Sequence, residues 1–484
     1  MKTIIYTICV IAGLSIIMPS CKKFTDITPK GSNILNRVTD LDMLLNFNYT
    51  ANSAPGDTLF AKTTAQAAFS AYDVGNLVND TYAYSTNIPS IISSKPQTLN
   101  YAYTVYDEAV DRKNLATIDV KYEKMYFLIN NVCNVVLKNA DQASGDRTKA
   151  NQLKAEAYIL RAYMHFWLVN LYAKAYNPAT ASNDGGIPYV KEDNLITDAN
   201  KKVSVAEVYE NIMEDIDTGL QLNGLPSIPQ NNMRVGLGFA YAVKAEVLMM
   251  LRKYPEALQE ANKSLAINSF INDDRLFAPV GAVTFGKLQA TAPENLFYMA
   301  QGGNPIISTP SLEVTEQIYE PGNIINSYVK PYYPGDNPFS ALPTSKLWLS
   351  SSNPFAINTA GLTTSDTYLM KAECLARGGD LDGALNTINL IRQKRIHSSF
   401  YVPVSAGTEA GVMALLLRTS KIEFLYTMKN FLMLKRLSTD EVYKQTVSRT
   451  INGVTYSLRP DSPLWIFPFP QSATNYNPNL SQNY

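Results

Sequence analysis

The feature that most restricts the fold is a repeated cassette. Lys-Ala-Glu stands at Lys154-Ala155-Glu156, Lys244-Ala245-Glu246 and Lys371-Ala372-Glu373. The second and third copies continue with Leu248 and Leu375, then with Ala257-Leu258 and Ala384-Leu385, twelve residues after Ala245 and Ala372. Tyr254-Pro255-Glu256 and Leu381-Asp382-Gly383 occupy the turn region between. Small residues at that spacing across a turn let two antiparallel helices approach closely, which is the tetratricopeptide arrangement. The first copy carries Trp167 where the second Ala would stand, so it must pair by different packing.

Apolar spacing elsewhere also follows the helical period. Tyr122, Met125, Tyr126, Ile129, Val132, Cys133 and Val136 mark one helix face, ending near Lys138. Leu153 to Tyr172 is apolar and aromatic over so wide an arc that burial on several sides is expected. Ser204 and Glu207 read as a capping box opening a helix through Ile216 and Leu220, which Gly224 and Pro226 stop. Helical repeats are thus expected near 119–138, 150–222, 233–267 and 365–395. Residues 271–366 contrast with them: Pro293, Gly302-Gly303, Pro310, Pro321-Gly322, Pro331, Pro334-Gly335 and Pro354 interrupt any long helix. With aromatics interleaved, that segment reads as a lobe of ordered loops and short strands, where a helical scaffold places function. The reading is a mostly α chain, with no clean domain boundary after Cys21.

Residues 1–20 read as an address. Lys2 precedes a nearly continuous apolar run from Ile4 to Ile17, which Pro19 stops short of the roughly 20 residues a membrane span needs. Ser20-Cys21 after that run resembles the bacterial lipobox, in which the cysteine becomes the lipidated first residue; an ordinary signal peptide is the alternative. On the lipobox reading a mature body, 21–484, is tethered by acyl chains. Cys133 and Cys374 then remain, both on apolar helical faces, and read as buried free thiols.

The chain carries no recognisable chemistry. Lys+Arg and Asp+Glu are each 42, a balance that argues against nucleic acid, whose phosphates demand a basic surplus. Two histidines cannot supply a three-His zinc site, and no Cys/His spacing suggests a metal. Phosphate loops, dinucleotide fingerprints, His-Glu-x-x-His and Gly-x-Ser-x-Gly are missing. His165 sits inside the aromatic helix as a core residue, Gly236-Leu237-Gly238 gives close helix entry, and Asp380-Leu381-Asp382-Gly383 is a turn. No catalytic residue and no cofactor are assigned. A carboxylate pair about 5–10 Å apart would leave no signature, so a lipid-anchored hydrolase stays open beside the binding protein that leads. Tyrosine is abundant, 30 against 18 Phe and 3 Trp, which suits a surface that stacks and hydrogen-bonds without charge.

Several segments resemble the SusD/RagB family of outer-membrane lipoproteins. Cys21-Lys22-Lys23-Phe24 through Pro29-Lys30-Gly31 is similar to the family's mature start. Ala155-Glu156-Ala157 through Arg161-Ala162-Tyr163 and Phe166 is similar to its Ala-Glu-Ala-x-x-x-Arg-Ala-x-x-x-Phe helix, followed by Gly185-Gly186-Ile187-Pro188. Tyr368 to Glu373 matches a late helical repeat, and the ending Phe467-Pro468-Phe469-Pro470-Gln471, Asn477-Pro478-Asn479-Leu480, Gln482-Asn483 is the most specific match. In the penultimate helix Glu423 and Leu434-Lys435-Arg436 survive, but Thr427, Met428, Asn430 and Met433 replace the family's Glu, Gly, Arg and Asp, which implies a repacked helix.

The resemblance implies a tetratricopeptide-like scaffold, lipid anchoring at Cys21 in the outer membrane facing outward, and capture of an oligosaccharide, or in some members a peptide, for a SusC-like TonB-dependent transporter. Tyr and Asn suit sugars: rings stack on a pyranose face and amides match hydroxyls. The ligand candidates are therefore Tyr82, Tyr84 and Asn87 after Asp80, and Tyr328, Tyr332, Tyr333 and Trp348 in the Pro-rich segment.

Overall fold

A computed structural model describes residues 35–47, 49, 72–78, 81–83, 92, 98–194, 199–277, 291–299, 308–310, 320–324, 329–331, 346–348, 358–425, 427–451 and 453–484. In chain order, α1 (Val38–Leu45), α2 (Tyr72–Leu77), the short strand β1 (Thr81–Ala83) and α3 (Leu99–Val105) precede the first long helical run. That run was expected as one helix near 119–138. It is α4 (Val120–Leu128), a π-helical turn at Ile129–Cys133 and α5 (Asn134–Asn139). The wider turn keeps Met125, Ile129, Val132, Cys133 and Val136 buried on one side while the helix advances.

α6 (Arg147–Tyr172) is the central helix. Asp146 caps it by accepting from the backbone N–H of Thr148 and Lys149. Ala155, Ile159, Tyr163, Phe166 and Trp167 are all fully buried, as the apolar arc requires. Twelve residues past Ala155, Trp167 is still inside this helix, so the first cassette is one long helix and not a helical pair. α7 (Val205–Gln221) follows after a connection over 173–204 that interrupts the helical region expected at 150–222. Ser204 caps α7 through the Glu207 N–H. The full reciprocal box, with an acid bonding back to the cap, forms at Thr363 and Asp366 instead. α7 runs antiparallel to α6: Tyr209 near its start bonds Asn170, the Arg161 guanidinium forks onto Asp215 at 2.7 and 2.7 Å, and Gly219 near its end lies against Ala155 and Ile159.

The other two cassettes are helical pairs. In the first, α8 (Leu237–Met250) turns through Arg252 at φ 60° into α9 (Tyr254–Ile267). The Ser264 hydroxyl donates to the Gly238 carbonyl at 2.7 Å, tying the end of α9 to the start of α8. Strands β2 (Asn295–Phe297), β3 (Ser308–Pro310), β4 (Val329–Pro331), β5 (Lys346–Trp348) and β6 (Leu362–Thr363) follow, none longer than three residues among the described residues. In the second pair, α10 (Thr364–Arg377) turns through Gly379 at φ +85° into α11 (Leu381–Gln393), capped by Asp380 through the Gly383 N–H at 2.9 Å. Ala245, Ala257, Ala372 and Ala384 are all at 0% exposure, so the small residues sit where paired helices meet. α9 packs on α10, which places the two pairs side by side.

α12 (Glu409–Glu423), capped by Thr408, covers α10 and α11; α13 (Lys429–Leu437) and the hairpin β7 (Val447–Ile451) and β8 (Val454–Leu458) complete the series. The family-like ending is a structural joint. The Phe467 N–H donates to the Leu171 carbonyl at 2.9 Å, and the Asn483 amide donates to the carbonyls of Tyr172 and Gly186. The architecture is mostly α with little sheet. Cys133 and Cys374 are buried free thiols, as expected. Among the described residues no helix is long and apolar enough to cross a membrane.

Part of the tyrosine surplus serves the core. Tyr103, Tyr163, Tyr172, Tyr209 and Tyr298 are core residues at 2% exposure or less. Tyr163 and Trp167 both donate to the Ala360 carbonyl, at 2.7 and 3.0 Å. A buried phenol is tolerated where its O–H finds an acceptor: the Ala360 carbonyl for Tyr163, the Asp119 carboxylate for Tyr172 and the Asn170 side-chain oxygen for Tyr209. His165 is likewise structural. The Val190 N–H donates to Nε2, so the neutral ring keeps its proton on Nδ1, facing the Arg161 carbonyl at 3.0 Å. Burial, with Arg161 nearby, pushes its pKa down to about 3.

Candidate functional site

Of the ligand candidates, Tyr82 lies on β1 and Trp348 on β5. Tyr84, Asn87, Tyr328, Tyr332 and Tyr333 lie outside the described residues, as does Cys21. The backbone nevertheless joins the two candidate segments. β1 pairs antiparallel with β3, Tyr82 opposite Thr309, and β4 pairs antiparallel with β5, Val329 opposite Trp348. β3 lies against β5, so two stretches far apart in sequence share one cluster of short strands. Pro310 and Pro331 each stand at the last position of their strand, where a missing N–H stops the ladder.

The cluster is seated on helices. α2 packs against β1, and α13 and α3 pack against α2. Arg449 of β7 locks this corner. Its buried guanidinium donates to the Asn76 side chain at 2.8 Å and to the Thr104 carbonyl at 3.2 Å, while Asn76 donates to the Thr104 hydroxyl at 3.0 Å. These bonds fix β7 against α2 and α3, and with them Val78, which stands three residues before β1.

Beside that corner runs an open groove of about 370 Å³. One wall is α12, with Ala414, Leu417, Arg418 and Lys421 along one edge at helical spacing. The opposite wall is Gln445, Thr446, Val447 and Ser448, and Val78, Asn430, Met433 and Leu434 form the floor. Asn430 is fully buried: its amide donates to the Lys421 carbonyl at 3.0 Å, and its Oδ1 has no partner. Asn430 and Met433 are two of the four positions where the chain departs from the family helix, and they were not among the ligand candidates. Their departure was the one sequence signal that marked this place.

Behind Met433 lies a smaller cavity of about 60 Å³, lined by Glu246, Met249, Asp366, Lys429 and Arg436 among others. Glu246 Oε2 is inaccessible and unpaired. Burial pushes the Glu246 carboxyl up to about 8, with Lys429 opposing the shift and Asp366 adding to it. Lys429 is already engaged, donating to Asp366. Among the described residues no group of three His, Cys, Asp or Glu side chains converges on a point where a metal would sit.

Comparison with known proteins places this architecture. Residues 51–247 match a SusD-like family model described as starch-binding and associating with the outer membrane, and residues 358–484 match that of the SusD family. A SusD superfamily protein from Bacteroides thetaiotaomicron has a similar crystal structure, with TM-score 0.70 and 17% identity over 93% of this chain and 100% of that one. A putative sugar binding protein from Bacteroides vulgatus gives TM-score 0.67 and 18% identity over 93% and 99%. The surface glycan-binding protein A of Bacteroides uniformis gives 0.68 and 15% over 92% and 99%. No curated protein matches the chain.

Proposed function

Because the chain belongs to the SusD/RagB family, we propose that it is a nutrient-binding lipoprotein that captures an extracellular oligosaccharide and passes it to a SusC-like TonB-dependent transporter. The observation that carries this reading is the convergence of β1 with the β4–β5 ribbon. It brings the strand that carries Tyr82 and the strand that carries Trp348 into one cluster. Aromatic faces stack on the C–H face of a pyranose, and amides match its hydroxyls. No group is assigned a catalytic role, so the ligand leaves as it arrived. Lipidation of Cys21 would hold the body at the outer membrane, facing outward, within reach of the transporter.

Calorimetry of the full chain against a panel of oligosaccharides and peptides tests the reading. Saccharide binding that weakens about tenfold or more in a Tyr82→Ala/Trp348→Ala variant supports it. A peptide bound in preference to every saccharide would make this a peptide-capturing protein on the same scaffold. Turnover of a bound saccharide would make it a hydrolase.

A further inference from the structure

We propose that the cavity behind Met433, between α8, α10, α12 and α13, takes the end of a primary alkylammonium chain, with Glu246 as its counter-ion. Such a group ends a lysine side chain or a free aliphatic diamine. The site lies in the helical scaffold, and its assignment does not rest on saccharide capture.

The charge pattern selects a cation. Among the described residues the acids Glu246, Asp366 and Glu373 and the bases Lys429 and Arg436 line the cavity. Arg436 forks onto Glu373 and Lys429 donates to Asp366, so both bases are committed and Glu246 is left over. Its Oε2 is sealed from solvent, but the residue is only half-buried. Oε1 is not sealed, and among the described residues it has no hydrogen-bond or ion-pair partner, which leaves it open to a ligand. A carboxylate in such surroundings is costly, and an ammonium supplies both the charge and the N–H donors it lacks. Burial without a dedicated counter-charge is what holds the carboxyl up at about 8, with Lys429 and Arg436 opposing the shift and Asp366 adding to it.

Size and lining select the rest. The space, about 60 Å³, holds about five water-sized centres at about 10–15 Å³ each, enough for a slim chain and too little for a pyranose ring. Met249, Met250, Met370 and Met433 supply thioethers that adapt to a methylene chain, and Phe424 offers a ring to the cation. Met370 and Met433 are half-buried, so solvent reaches this lining.

The test is calorimetry of the full chain with diaminopentane, the tripeptide Gly-Lys-Gly, pentanol and pentanoate, in two buffers of different ionisation enthalpy. The expected result is binding of an amine and not of the alcohol or the acid. The neutral carboxyl must ionise to meet the ammonium, so about one proton passes from Glu246 to the buffer per ligand bound at pH 7, and almost none at pH 9.5. Glu246→Gln keeps the shape and is expected to weaken the amine about tenfold or more and to abolish the proton release. Met433→Phe leaves Glu246 in place, narrows the cavity and should weaken the amine as well. Binding of Gly-Lys-Gly assigns the site to a peptide side chain, and binding of the diamine alone assigns it to a free amine. Binding of neither, equal binding of pentanol, or unchanged affinity and proton release in Glu246→Gln would leave a water-filled cavity only and overturn the assignment.

Discussion

Glu373 and Arg436 form a buried two-pronged pair, Oε1 to Nη1 at 2.8 Å and Oε2 to Nη2 at 2.6 Å. Glu373 closes the third cassette, and Arg436 belongs to the surviving Leu-Lys-Arg of α13, so this pair clamps α13 to the scaffold. Burial alone would raise the Glu373 carboxyl, but Arg436 and Arg377 outweigh it and hold it below the usual carboxylate range. Glu373→Ala strands a buried guanidinium and is expected to cost about 3–5 kcal/mol. Denaturant unfolding checks this, and the double variant Glu373→Met/Arg436→Met should recover a large part of the loss.

Cassette glutamates are not equivalent. Glu156 holds the buried Arg234 at 2.7 and 2.9 Å and Glu373 holds Arg436, but Glu246 keeps an unpaired oxygen and a carboxyl raised to about 8. Between its ordinary 4.5 and 8 the folded chain therefore binds a proton that the unfolded chain releases. Stability must fall as pH rises through that window and level off above it. Glu246→Gln removes the penalty and is expected to gain about 1–2 kcal/mol at pH 8 and almost nothing at pH 4.5. Unfolding curves at both pH values decide it: a gain of equal size at each would refute the assignment.

What the sequence disclosed was what repeats or spaces itself. Ala245 with Ala257 and Ala372 with Ala384 announced the helical pairs, because close approach demands small residues at fixed spacing. The ending from Phe467 to Asn483 identified the family, yet its residues serve the joint at Leu171, Tyr172 and Gly186. The groove was illegible for a physical reason. Its lining comes from four segments, around Val78, Arg418, Asn430 and Thr446, and no single window contains it. Tyrosine abundance alone could not sort the phenols, since a count does not tell one bonded inside the core, such as Tyr163 or Tyr209, from one facing a ligand.

Lys435 is the second anchor of α13. Its ammonium is buried at 1% exposure and donates to the carbonyls of Asn170, Ala173 and Trp465, at 2.5, 2.7 and 2.7 Å. Two of those carbonyls close the C-terminal end of α6, where helical acceptors lack partners and a cation complements the dipole. Lys435→Met keeps the stem and removes three bonds, and is expected to cost about 2–4 kcal/mol. Hydrogen exchange should show the last turn of α6 opening first; unchanged protection there would argue that the lysine only fills space.

Gly361 marks where the loop lobe meets the core. A Cβ there would stand 2.1 Å from the Phe297 carbonyl and 2.9 Å from the Met299 N, both backbone atoms of the β2 segment that cannot swing aside. The neighbouring Ala360 carbonyl accepts from Tyr163 and Trp167, so the backbone is held from the other side as well. Gly361→Ala must therefore push β2 and β6 apart, and is expected to cost about 3 kcal/mol or more. Gly407, before the cap of α12, has nothing within 4 Å of a built Cβ, so Gly407→Ala should be neutral or slightly stabilising by about 0.5 kcal/mol. Paired melting curves separate steric closure at Gly361 from a general intolerance of alanine. Because β6 leads directly into α10, the Gly361 variant should also lose ligand affinity if the strand cluster depends on that junction, while Gly407→Ala should keep it.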